Sequence, residues 1–179
     1  MSAGDSTQKR IAAQVNAFKV AAIQMASGPN VAGNLSEARR LIAKAAEQGA
    51  RLVVLPEFFP IMGMNDQDKV KVREQAGQGP IQSFLSETAR QYKIWLVGGS
   101  IPLAADSPDK VRNSCLVFDE HGEQVARYDK IHLFNLELGN ENYHEAKTIE
   151  PGNEVVVVDR LPLNAHGKVA KAELRTLAA

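Results

Sequence analysis

Short runs of consecutive apolar residues alternate with stretches of helical periodicity along the first hundred positions of the chain. Phe18 to Met25, Arg51 to Leu55 and Ile94 to Val97 are the runs. Each is short and bounded by breakers, which suits a strand buried on both faces better than a helix. Between the first two, Leu35, Ala38, Ile42, Ala45 and Ala46 fall on one stripe, while Arg39, Arg40 and Lys44 stay on the wet side. Asn34 is the expected cap of that helix, with Glu37 three residues on, and Gly49 is its expected end. Strand, helix and strand in this order predict a βαβ unit with parallel pairing and a right-handed crossover. A second helical stripe, Ile81, Phe84, Leu85, Thr88, Ala89 and Tyr92, starts at Pro80, a residue suited to the first helical turn.

Beyond Gly98-Gly99 the pattern changes character. Ala104 to Lys110 reads as polar loop, and Asn113 to Phe118 and Glu123 to Tyr128 as two strands. Asp119-Glu120-His121-Gly122 between them is a hairpin signal, so antiparallel strands join the parallel ones. Asn135 to Asn153 reads as polar loop, and Val155 to Val158 as one more buried strand. Phe58 to Gly79 is an irregular connection of a length that is usually functional or disordered. The fold class predicted is α/β, a mixed parallel and antiparallel sheet flanked by helices.

Composition narrows the classes without choosing one. At 179 residues with 44% hydrophobic and 23% charged positions, the chain fits a single globular domain with a real core. Acidic and basic side chains balance at 21 each and no basic block stands out, which argues against nucleic acid and anionic membrane as partners. A single cysteine, Cys115, excludes an internal disulfide framework and fits a reducing, cytoplasmic setting. Residues 1–16 are polar and mixed in charge, without the apolar core of a signal peptide, and read as a disordered leader.

The chemistry begins at Glu57. Pro56 has no N–H to continue a ladder, so Glu57 stands just past the carboxyl end of a core strand, where open α/β sheets put their ligands. Two aromatics, Phe58 and Phe59, follow it, and a carboxylate against such an apolar wall is a candidate general base. A solvated loop carboxylate is the other reading of this stretch. His132 and His144 have no second ligand at a recognisable spacing, so no metal and no cofactor are expected.

With Tyr128-Asp129-Lys130-Ile131-His132-Leu133-Phe134 added, the chain resembles the nitrilase superfamily of carbon–nitrogen hydrolases, and most closely its Nit-type amidases. The resemblance spans Phe18 to Asp159 and includes Gln24-Met25, Leu55-Pro56-Glu57, Gly98-Gly99-Ser100, Asn113 and Glu150-Pro151-Gly152. Each match is weak alone; their order and spacing together are specific. The resemblance implies a partial α-β-β-α sandwich at residues 17–159, a small-molecule amide substrate and a homo-oligomer. It implies hydrolysis of a non-peptide carboxamide by a Glu, a Lys and a Cys with a second Glu. By position these are Glu57, Lys130 and, for the second Glu, Glu145.

The cysteine is where the pattern breaks. The family puts its nucleophile about one strand beyond Val155 to Asp159, whereas this text diverges at Arg160 and has no cysteine after Cys115. Cys115 lies inside a strand run and reads as an inert hydrophobe. The expectation is a truncated hydrolase domain followed by a divergent tail at 160–179, without turnover for want of the thiol. The alternative is a catalytically dead remnant or interaction module that dimerises through an exposed sheet.

Overall fold

The computed structural model describes residues 18–138 and 141–158. The leader at 1–16 and the tail at 160–179 lie outside the described residues. The chain opens with β1 (Lys19–Ala22), α1 (Val31–Glu47) and β2 (Ala50–Val54), and β1 pairs with β2 in parallel, as the βαβ reading requires. The start of α1 differs from expectation. Asn30 is the cap, accepting from Gly33 N at 2.9 Å, and Asn34 is buried within the helix. The Asn34 amide instead ties down the preceding turn, accepting from Gly28 N and donating to Gly28 O and Pro60 O. Either asparagine satisfies a capping pattern read locally; the buried partners of Asn34 decide between them. Gly49, at φ 86°, closes the far end.

The Phe58 to Gly79 connection carries a short helix, α2 (Asp68–Lys71), and the buried Glu74. Glu74 accepts from the Ile81 and Gln82 backbone amides, so it satisfies the first turn of α3 (Pro80–Tyr92), which its own cap residue Gly79 cannot do. Next come β3 (Trp95–Val97), β4 (Ile101–Ala104), β5 (Val111–Phe118) and β6 (Gln124–Asp129). β3 ends at Gly98-Gly99, and β4 begins just beyond it along the same neighbour. β3 pairs with the far half of β5 (Val97↔Val117) and β4 with its near half (Ile101↔Ser114). β6 lies on the other side of β5, antiparallel, through the predicted hairpin; there Asp119 Oδ1 accepts from His121 N and Glu123 N.

Two expectations fail in the last part. Asn135 to Asn153 is more than loop: β7 (Asn135–Leu138) and β8 (Glu141–His144) form a separate antiparallel pair, followed by a 3-10 turn at Glu145–Lys147. Val155 to Val158 is neither strand nor buried, with Val155 82% exposed. A β-branched run favours a strand only where a neighbouring strand offers a ladder, and none of the described strands pairs with it.

Register assigns the two faces of the six-stranded sheet. Val53, Leu55, Leu96, Leu116 and Phe118 face α1 and α3 and form the core with Ile42, Phe59 and Leu85. Each such burial stabilises by about 1.5–3 kcal/mol relative to exposure. The opposite face carries Val20, Leu52, Val54, Val97, Cys115, Val117 and Tyr128, also apolar, with Val20 56% exposed. Among the described residues, Val70, Ile149, Phe58 and Leu133 cover the end of that face next to the connections, around Val111.

Candidate active site

Parallel β2 and antiparallel β6 both end at one rim of the sheet, beside the first half of β5. That shared rim is what brings residues far apart in the chain together. Leu55 still pairs to Val97, and Pro56 then carries the chain over the edge to Glu57. The next residue, Phe58, is a non-glycine at φ 46°, a left-handed conformation held by its N–H donating to Ser100 Oγ at 3.0 Å. Such backbone costs on the order of 1–3 kcal/mol and is retained where the surroundings determine it. Lys130 follows β6, with its N–H on Asn113 O and its carbonyl accepting from Gly152 N. The 3-10 turn presents Glu145 from the other side.

The three residues meet. Lys130 Nζ stands 3.1 Å from Glu57 Oε1 and 3.0 Å from Glu145 Oε2. Glu145 is fixed from two directions: its Oε2 accepts from Phe134 N at 2.7 Å, and its own N–H donates to Phe134 O. Its side chain is 8% exposed, against 24% for Lys130 and 57% for Glu57. The ammonium is thus clasped between an enclosed carboxylate and one that remains open to solvent. The expected aromatic wall is not there. Phe59 turns into the core against Phe84, and only Phe58 stays near the site.

Burial is the largest single influence on Lys130 and works against its charge. Hydrogen bonds to Glu145 and Glu57, with their charges, together outweigh it and hold the ammonium above the ordinary lysine value of 10.5. A raised folded value means that the cluster stabilises the fold fully below that pH and loses its contribution as pH climbs through the raised value. Lys130→Met is therefore expected to lower stability by roughly 1–3 kcal/mol at neutral pH, because Glu145 loses its counter-charge in an enclosed position. The two proteins are expected to converge in strong alkali, where the unmodified chain also loses the ammonium. Urea melts at neutral pH and in strong alkali test this; an unchanging gap would contradict it.

Sequence reasoning missed Asn113 as a site residue. It is 2% exposed, and its Nδ2 donates to Glu57 Oε1 at 2.7 Å while its Oδ1 is buried with no partner among the described residues. The available signal was a polar residue inside a buried strand run, a rare placement unless hydrogen-bonded. Tyr143 lines the cavity that also holds Phe58 and Glu145. Burial, then the Glu145 and Asp66 charges, push its phenol up, so that it stays a neutral donor.

Two cavities open beside Glu57. One, of about 350 Å³, is lined by Val54, Val97, Asn113, Cys115, Tyr128 and Lys130. The other, of about 330 Å³, is lined by Phe58, Met62, Asp66, Lys69, Tyr143 and Glu145. Cys115 is two positions along β5 from Asn113 and pairs with Tyr128. Burial pushes its thiol up, and no carboxylate or ammonium among the described residues hydrogen-bonds it. His132 and His144 line neither cavity, and among the described residues no group of three or more His, Cys, Asp or Glu is placed to hold a metal ion. No helix among the described residues is long and apolar enough to cross a membrane.

Comparison with known proteins bears on the family and the fold. The family model for carbon-nitrogen hydrolases matches residues 19–169. A deaminated glutathione amidase of Yersinia enterocolitica is 36% identical over 159 residues, which is 87% of this chain and 54% of that protein. An omega-amidase of Saccharomyces cerevisiae is 35% identical over 148 residues, 79% of this chain and 51% of that one. Among solved structures, the C. elegans NitFhit protein superposes with a TM-score of 0.69 at 29% identity, over 76% of this chain and 34% of that one. A yeast nitrilase-superfamily member gives 0.63 at 32%, over 74% and 47%. The chain spans about half the length of these curated relatives.

Proposed function

The chain belongs to the carbon–nitrogen hydrolase family, and from that premise we propose that Glu57, Lys130 and Glu145 are the acid–base half of an amidase site. Its substrate is a small non-peptide carboxamide, converted to its acid and ammonia. The observation that carries this reading is one ammonium clasped by two carboxylates over a cavity at the strand ends. The amidase names of the relatives support it.

Each group has work suited to its position. Glu57, the exposed carboxylate, takes the proton of an attacking thiol; the thiolate bonds to the amide carbon. Lys130 faces the oxygen that becomes negative. Ammonia leaves with the proton returned by Glu57, and a thioester remains. Water then attacks that thioester, Glu57 takes its proton, the acid departs and the thiol is restored. Glu145, anchored on Phe134, keeps Lys130 charged and aimed. The sulfur has no candidate at the carboxylates. Cys115 has its thiol pushed up by burial and no base bonded to it, so the 179-residue chain is proposed to bind amides without turning them over.

Binding tests the reading directly. Propionamide is expected to shift the Asn113 side-chain amide signal in nitrogen-15 NMR spectra, and Lys130→Met is expected to abolish the shift. An Asn113 signal indifferent to propionamide in the unmodified chain overturns the proposal.

A second reading rests on the apolar sheet face that no helix among the described residues covers. An exposed patch of this kind favours association, so the chain pairs with a second copy through it. Sedimentation velocity is expected to show dimers that Val117→Glu shifts toward monomer. Monomers at every concentration would remove this reading.

A further inference from the structure

We propose that Asn113 is a positioning residue for Glu57: it holds one carboxylate oxygen so that the other is left to move protons, and it stands there at the expense of stability. The inference rests on the amidase reading above and adds to it a residue and the atom of Glu57 that acts.

Asn113 lies on β5, where Pro102 of β4 is its pair on one side. On the other side its carbonyl accepts from Lys130 N at 2.9 Å, while its Nδ2 donates to Glu57 Oε1 at 2.7 Å. One residue therefore ties the main chain of the lysine to the side chain of the carboxylate. The backbone beyond Glu57 is fixed separately, by Ser100 Oγ accepting from Phe58 N at 3.0 Å. Lys130 Nζ reaches the same Oε1 at 3.1 Å. Both bonds to Glu57 thus fall on Oε1, and among the described residues none falls on Oε2. An oxygen that already accepts two bonds, one from an ammonium, has less to offer a proton than one that accepts none. Proton transfer belongs to Oε2.

Packing does not ask for an amide at this position. Asn113 is 2% exposed and shares its face of β5 with Val111, Cys115 and Val117. A β-branched apolar residue suits such a place better. The amide's own Oδ1 is buried with no partner among the described residues, which is unfavourable for a polar atom withdrawn from water. Turning the amide over gives no relief, because Oδ1 would then face Glu57 Oε1, acceptor against acceptor. The bond donated to Glu57 is what accounts for the residue. Glu57 does not need that bond to stay satisfied, since its side chain is 57% exposed and still meets Lys130.

Asn113→Val tests this by sign. With the buried Oδ1 gone, the urea midpoint is expected to rise or hold. Propionamide, titrated by calorimetry into the folded chain, is expected to bind about tenfold more weakly. The reason is that Glu57, released from β5, turns both oxygens onto Lys130 and fills the place of the amide oxygen. Asn113→Asp keeps the shape and removes the donor, so it is expected to lose affinity to a similar degree. Its midpoint is expected to fall at neutral pH, because a second carboxylate then faces Glu57. A purely structural Asn113 requires the opposite pattern, a lower midpoint with unchanged affinity in Asn113→Val, and that result overturns the proposal. A midpoint that falls together with the affinity in Asn113→Val, or affinity retained in Asn113→Asp, overturns it as well, and all three leave the amidase reading intact. Failure of propionamide to bind the unmodified chain overturns the two together.

Discussion

Incubated with simple carboxamides, the 179-residue chain is expected to release ammonia no faster than buffer does. The reason is chemical. In the proposed mechanism Glu57 moves a proton and Lys130 stabilises an oxyanion, but neither forms the thioester that divides amide hydrolysis into two easier steps. Where a hydrolase triad has been dismantled residue by residue, loss of the nucleophile alone costs about a millionfold in turnover. The single thiol in the chain, Cys115, shares a cavity with both groups, yet burial keeps it protonated. Ammonia assays on the unmodified chain and on Cys115→Ala and Glu57→Ala decide the matter. Turnover lost with Cys115 would make that residue the nucleophile. Turnover that survives Cys115→Ala and disappears with Glu57 would mean that the site works without sulfur.

The largest expected loss of stability follows from Gly99→Ala. Gly99 sits at φ 52°, where a side chain strains the backbone, and a Cβ built on it overlaps the carbonyl oxygens of Pro56 and Leu55. Both obstacles are main chain, so neither can rotate aside. The left-handed conformation costs ~1–2 kcal/mol and the overlap about 1–3 kcal/mol more. The bend at Gly98-Gly99 is also what lets β3 and β4 share β5, and it passes directly beneath the residues leading to Glu57. Gly28→Ala is the control, since nothing lies within 4 Å of its Cβ and its φ is ordinary. Urea midpoints are expected to fall steeply for the first variant and hardly at all for the second. Comparable midpoints would show that the strand ends yield more readily than the geometry suggests.

Local pattern was enough for much of the fold. The parallel βαβ unit, the stripes of α1 and α3 and the hairpin between β5 and β6 follow from periodicity and turn chemistry, which act over a few residues. The misses have a common source. Asn30 and Asn34 are equivalent as caps until Pro60, far along the chain, accepts from one of them. Val155 to Val158 has strand composition, and none of the described strands offers it a ladder. β4 is four residues between a glycine pair and a polar loop, too short a run for local pattern to mark.

For the site, sequence alone determined the residue types: a carboxylate after a strand-ending proline, a lysine after the next hairpin, and a second carboxylate in a polar stretch. It also determined the number of thiols, because that needs only counting. Their meeting was decided by tertiary structure. Glu57 and Lys130 are 73 positions apart, and no local rule couples them. They come within 3.1 Å because β2 and β6 finish at the same rim of one sheet. Asn113 joins Glu57 for the same reason. A buried amide acquires its partner from strand order, which is a long-range property that spacing along the chain does not encode.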